Sequence, residues 1–128
     1  MDIESVIEDI EKLQEFSENQ FEKFQSNFLA VRAAERLLEI IGEAVNQIGK
    51  IDESIKIKNS NEIIGLRNKI VHAYDSIDPA LLWGIIVLDI KPLKEDIERL
   101  RKNSRQQRIY SIPFPHSHTS IPEKVIKL

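Results

Sequence analysis

Apolar residues recur at steps of three and four along most of this chain, a spacing that predicts four helical segments. Ile3, Ile7, Ile10 and Leu13 mark the first, near residues 2–16. Ser17 then stands three positions before Gln20, the spacing of a capping box, with Phe16 and Phe21 placed as its hydrophobic staple. A break or bend is expected there. The second segment is long: Phe21, Phe24, Phe28, Val31, Ala34, Leu38, Ile41, Val45 and Ile48 form one stripe, and Gly49 is expected to end it as the residue after the C-cap. Ala30, Ala33, Leu37, Ile40 and Ala44 widen the stripe, so this helix must meet more than one neighbour.

Residues 50–59 are polar and Lys-rich, and Asn59, three before Glu62, is a candidate cap for a third helix over roughly 60–74. Asp78 as N-cap and Pro79 at the first helical position open the fourth. Its stripe runs Trp83, Ile86, Ile90, Leu93, Ile97, Leu100, and Pro92 inside it predicts a kink, because Leu88's carbonyl loses its amide partner. After Asn103 the periodicity stops, and Pro113, Pro115 and Pro122 among Ser, His and Thr read as an irregular tail. No strand-like alternation is long enough to build a sheet. The expected fold is an all-α antiparallel bundle of four to five helices over residues 1–103, followed by a basic, Pro-containing tail over 104–128.

Composition narrows the chemistry. The chain has 128 residues and no Cys, which removes disulfides, thiol catalysis and thiolate metal sites together. No apolar run is long enough for a membrane span, and the acidic start Met1-Asp2-Ile3-Glu4 lacks a signal-peptide core, so a cytoplasmic protein is expected. The net charge of −3 hides an asymmetry: residues 1–100 carry 20 acids and 12 bases, residues 101–128 one acid and six bases. The tail reads as an electrostatic arm, a docking segment, or simply a solvated counterweight to an acidic body.

The third helix breaks its own pattern. With Arg67 at zero on a wheel of 100° per residue, Ile63, Leu66, Ile70 and Ala73 fall at roughly 240° to 320°, and Ile64 and Val71 at about 60° and 40°. Arg67 sits inside the apolar arc, and Tyr74 lies almost above it. Such a violation marks either function or a core ion pair, with Glu43 or Glu39 as the available carboxylates. His72 lies beside Asn68, four positions away, where a hydrogen bond could orient the imidazole. Arg67 and His72 diverge on the wheel by about 140°. To share one phosphate, either the helix must end near His72 and turn the ring inward, or a second subunit must complete the site.

Those residue types suit one reaction. A His titrating near neutrality passes protons, and an Arg holds a phosphate and stabilises a pentacoordinate transition state. RNA brings its own nucleophile, the 2′-hydroxyl, so no metal or other cofactor is needed. His116 and His118 in a Pro-rich tail make a poor metal site.

Arg67 to Tyr74 resembles the R-x-x-x-x-H-x-Y signature of the HepT-like toxins, within the HEPN (higher eukaryote and prokaryote nucleotide-binding) superfamily. The segment Ala34 to Ala44, with Gly42-Glu43-Ala44, the run Ile63 to Asn68, Trp83 and Asp89-Ile90-Lys91-Pro92-Leu93 resemble that family too, so that the likeness covers about residues 2–103. The resemblance implies a homodimeric HEPN-type bundle acting as a metal-independent endoribonuclease, with Arg67 and His72 as catalytic pair and Asn68 in support. It further implies the toxin half of a toxin–antitoxin system, neutralised by a cognate minimal nucleotidyltransferase antitoxin that transfers AMP to Tyr74. Two features depart from the family: Lys56-Ile57-Lys58-Asn59-Ser60 stands where an aromatic residue often precedes the motif helix, and the tail has no counterpart. Arg101, Lys102, Arg105 and Arg108 with Tyr110 offer contacts for RNA or for an acidic partner surface. Competing with the ribonuclease are a non-catalytic nucleotide- or substrate-binding subunit of a nucleotidyltransferase complex, and a purely structural dimerisation bundle with Arg67 locked in an ion pair.

Overall fold

The computed structural model describes residues 2–73 and 77–110, with side chains as far as residue 103. Among the described residues there are six helices and no strand: α1 (Ile3–Phe16), α2 (Phe21–Gln25), α3 (Phe28–Ile51), α4 (Ser60–His72), α5 (Pro79–Leu88) and α6 (Ile90–Tyr110). The all-α fold is as the periodicity predicts. The extra helices arise where polar residues interrupt a stripe without disturbing its spacing.

The first interruption follows α1. Ser17 is its C-cap rather than the start of a capping box, and Glu18 and Asn19 turn the chain with positive φ values of 54° and 53°. Phe16 is 71% exposed, so the expected staple with Phe21 is not made. Gln20 precedes α2 without a side-chain cap bond. The second interruption divides the long segment. Ser26 Oγ donates to Lys23 O at 3.2 Å, competing with the helix's own bonding, and Asn27 takes extended backbone and accepts from Ala30 N at 3.1 Å. Phe28 keeps the four-residue step from Phe24, yet the break turns it outward, and it is 67% exposed with Arg32 over its ring.

Gly49 does not end α3. The helix runs on to Ile51 and Asp52 caps it, the cost of one mid-helix glycine, about 1 kcal/mol, being too small to stop it. Asn59 adopts the left-handed conformation (φ 62°, ψ 20°) and forms no side-chain cap bond to α4. Asp78 and Pro79 open α5 as the sequence indicates, with Asp78 Oδ1 accepting from Ala80 N at 3.0 Å. The kink expected at Pro92 is a full break three residues earlier. Asp89 ends α5, and Pro92 falls in the first turn of α6, where a missing N–H costs nothing. α6 extends past Asn103 to Tyr110.

α3 is the central element, touching α1, α2, α4 and α5. Its buried side, Val31, Ala34, Leu38, Ile41, Val45 and Ile48, meets Ile3, Ile7 and Ile10 of α1 and Ile63 and Leu66 of α4 in one core. Phe24 of α2 stacks on Trp83 of α5 (centroids 5.1 Å apart, 30° between planes), which ties the short helix down. α1 and α6 run antiparallel, tied by Arg101 Nε to Glu4 Oε1 at 2.6 Å and Lys94 Nζ to Glu11 Oε1 at 3.0 Å. The loop between α3 and α4 is held by α6: Asp96, 7% exposed, accepts from Lys58 N at 2.8 Å. That hold sets where α4 begins.

Candidate functional site

α4 lies antiparallel against α3. Its residues Ile63 and Leu66 are buried, Ile70 is half-buried, and Arg67 is carried on that same side. The close approach needs Gly42: a Cβ there would stand 2.3 Å from Arg67 Cβ and 2.8 Å from its Cγ. The arginine stem therefore crosses directly over the α3 backbone. Its side chain is 28% exposed, which places the guanidinium at the rim of the interface rather than in the core.

Four side chains form one polar chain across the two helices. Gln47 Nε2 donates to Glu43 Oε1 at 3.0 Å, Glu43 Oε2 lies 2.6 Å from Arg67 Nη2, and Arg67 Nη1 donates to Asn68 Oδ1 at 2.9 Å. The Glu43–Arg67 contact is an ion pair without the N–H···O alignment of a hydrogen bond, and Arg67 Nε is buried with no acceptor among the described residues. Of the two carboxylates open to Arg67 from sequence, Glu43 is the partner; Glu39 pairs with Arg36 at 3.5 Å.

Asn68 is exposed, and its carbonyl oxygen serves Arg67; no Asn68–His72 hydrogen bond forms among the described residues. His72 is the last residue of α4 and is exposed, and Ala73 leaves the helix in extended conformation. The helix thus ends at His72 without turning the ring inward. The chain returns to α3 at Ile77, whose N–H donates to Glu35 Oε1 at 3.3 Å. Tyr74, and with it the expected stacking over Arg67, lies outside the described residues, as do the side chains of 104–110 and the whole of 111–128, including His116 and His118. One chain by itself brings Arg67 and Asn68 together and leaves His72 apart on the surface.

The roles of Gly42 and Gln47 emerge only from the folded chain. The available sequence signal is a glycine in mid-helix one residue before a glutamate. That is a costly placement unless another backbone or side chain needs the space.

A family profile described as ribonuclease HepT-like matches residues 6–100. The chain belongs to the HepT-like family. Among its relatives, the Probable ribonuclease HepT of Thermococcus cleftensis is 36% identical over 105 residues, covering 78% of this chain and 93% of that one. Two Methanocaldococcus jannaschii proteins whose names mark them as candidate RNases are 35% and 31% identical. They cover 73% and 77% of this chain and 87% and 83% of their own lengths. No solved structure gives a significant match. The family likeness runs from within α1 to the middle of α6, so it takes in the whole Gln47–Glu43–Arg67–Asn68 chain and His72. No described helix of this HepT-like chain is long and apolar enough to cross a membrane.

Proposed function

We propose that this HepT-like protein is a metal-independent endoribonuclease and the toxin of a toxin–antitoxin pair, with Arg67 and His72 as its catalytic residues. The observation that carries the reading is the Arg67 guanidinium, held at the rim of the α3–α4 interface by Asn68 and Glu43, in a chain whose relatives bear ribonuclease names. In this reading His72 takes the proton from the 2′-hydroxyl, which attacks the adjacent phosphorus. Arg67 and the amide of Asn68 stabilise the pentacoordinate oxyanion, the 5′-oxygen leaves as an alcohol with a proton taken up from solvent, and a 2′,3′-cyclic phosphate remains.

His72 stands on the surface at the end of α4, about 7.5 Å along the helix axis from Arg67 and on another face. That separation favours a homodimer, in which a twofold axis beside α4 gathers two arginines and two histidines around one cleft. The cognate minimal nucleotidyltransferase antitoxin silences the toxin by moving AMP from ATP to the Tyr74 hydroxyl, releasing pyrophosphate. The added nucleotide phosphate is an anion seven positions beyond Arg67, and it competes with RNA for the cleft.

The test is RNA cleavage by the purified chain in EDTA, followed by expression beside the neighbouring nucleotidyltransferase and weighing of the intact protein. Cyclic-phosphate ends, loss of cleavage in Arg67→Ala and in His72→Ala, and a gain of AMP mass absent in Tyr74→Phe are expected. Intact RNA together with weakened nucleotidyltransferase binding by Arg67→Ala would replace the ribonuclease with a non-catalytic binding subunit.

A further inference from the structure

We propose that Glu43 is a positioning residue for Arg67: its carboxylate holds the guanidinium in the free protein and is displaced from it by the scissile phosphodiester. The inference rests on the ribonuclease reading above and adds a residue from α3 to a site otherwise built on α4.

The geometry around the guanidinium is unequal. Nη1 has a well-directed acceptor in Asn68 Oδ1 at 2.9 Å. Nη2 has a charge contact with Glu43 at 2.6 Å that lacks hydrogen-bond alignment, and Nε has no acceptor among the described residues. The Nε–Nη2 edge is the fork that takes two oxygens of one anion, and because Nε is enclosed in the resting protein it reaches one only when the end of the side chain swings out from α3. Glu43 reaches one prong of it only, because its other oxygen is engaged by Gln47 Nε2 at 3.0 Å. A phosphodiester offers two non-bridging oxygens and satisfies both prongs. Exchange of carboxylate for phosphate therefore replaces one misaligned contact by two aligned ones, while Asn68 keeps its hold on Nη1.

The fold supports a fixed resting place for this arginine. Gly42 leaves the stem no slack, since its missing Cβ is what lets Arg67 Cβ and Cγ lie on the α3 backbone. Only the end of the side chain is free to swing between Glu43 and a substrate. Glu43 is itself 40% exposed, and its Oε2, enclosed against Arg67, reaches water once the guanidinium swings away. The same side of α3 carries Glu39, one turn earlier and paired with Arg36. It supplies an internal control of equal charge that does not touch Arg67.

Glu43→Gln keeps the size and the Gln47 contact but removes the charge. Two measurements apply. The first is the affinity of a 2′-O-methyl RNA oligonucleotide, which cannot be cleaved, for the His72→Ala protein with and without Glu43→Gln. The second is steady-state cleavage by the Glu43→Gln protein. Expected are an affinity gain of about two- to five-fold, the worth of a partly exposed ion pair that the substrate no longer has to displace, and an unchanged kcat, because Glu43 has already left the guanidinium in the bound complex. KM alone then drops, which a loss of folded protein does not produce. Glu39→Gln should change neither. In the unmutated protein, the Arg67 Nε–H proton, assigned by its loss in Arg67→Lys, should shift when the oligonucleotide is added.

Equal effects of Glu39→Gln and Glu43→Gln would overturn the proposal in favour of general charge repulsion, as would an unmoved Arg67 signal in the bound complex. If the unmutated protein neither cleaves nor binds RNA, the ribonuclease reading fails and this inference with it. If it cleaves and Glu43→Gln is indistinguishable from it, the inference alone fails.

Discussion

Arg67 and Glu43 meet 2.6 Å apart across the α3–α4 interface, and they meet there because the residue before Glu43 is a glycine. A side chain at position 42 would collide with Cβ and Cγ of Arg67, atoms too near the backbone to swing aside. Gly42→Ala is therefore expected to push α4 off α3, at about 1–3 kcal/mol in stability, and to reduce RNA cleavage through misplacement of Arg67. Thermal unfolding alongside a cleavage assay checks both. An unchanged Tm would mean that α4 is free to shift on α3.

Arg67 and His72 should separate stability from activity. His72 is exposed at the end of α4, so His72→Ala is expected to leave stability within about 0.5 kcal/mol. Arg67→Ala removes a half-buried stem and a partly exposed ion pair, at about 1 kcal/mol. Each should lower cleavage by at least about 100-fold. Urea titration of both variants is the check. Outright unfolding of Arg67→Ala would return this arginine to a purely structural role.

Phe24 anchors the short α2 by stacking on Trp83, and it is fully buried. Phe24→Ala should cost about 3–5 kcal/mol and shift the emission of the single tryptophan to longer wavelength as water reaches it. A near-native unfolding midpoint with unchanged emission would show that α2 contributes nothing to the core.

Asp89 sits at the break between α5 and α6. Burial above all, then the negative charge of Glu62, raises its carboxyl above the ordinary 3.8, against a hydrogen bond from Asn59 that lowers it. The folded state thus holds this proton more tightly than the unfolded chain does. Its contribution to stability is present below pH 3.8 and is lost as pH rises through the higher folded value. Asp89→Asn should therefore gain stability over the unmutated protein as pH rises from about 4 to 7. Unfolding free energies across that range decide it, and a difference that stays constant with pH would contradict the assignment.

Much of this architecture is legible in local patterns along the chain. The stripes from Ile3 to Leu13, Val31 to Ile48 and Ile86 to Leu100 place the core helices, because a helix must repeat its buried side every three or four residues. Asp78-Pro79 marks the start of α5, since a cap and a proline act on the turn in which they stand. The motif Arg67 to His72 and its place on a helix are legible for the same local reason. Periodicity cannot show the breaks at Ser26-Asn27 and at Asp89. Both preserve the spacing of apolar residues, so Phe28 reads as core and is surface. Ser17 and Asn59 carry capping signals, but the folded chain uses neither side chain as a cap: Ser17 is buried as the end of α1, and Asn59 turns left-handed before α4.

The sequence by itself determined that the chain is helical, which residues form most of its core, and that one arginine stands where an apolar residue belongs, because these depend on neighbours within a turn or two. Only the tertiary structure decided what that arginine meets. Glu43 or Glu39 was an open choice on the wheel, and the choice fell to the depth at which α4 settles on α3. Gly42 sets that depth by leaving room for the arginine stem, and Asp96, reaching across from α6 to Lys58, holds the loop that delivers α4 to it. These partners lie 24 to 38 positions apart in the chain, and a local pattern carries no record of them.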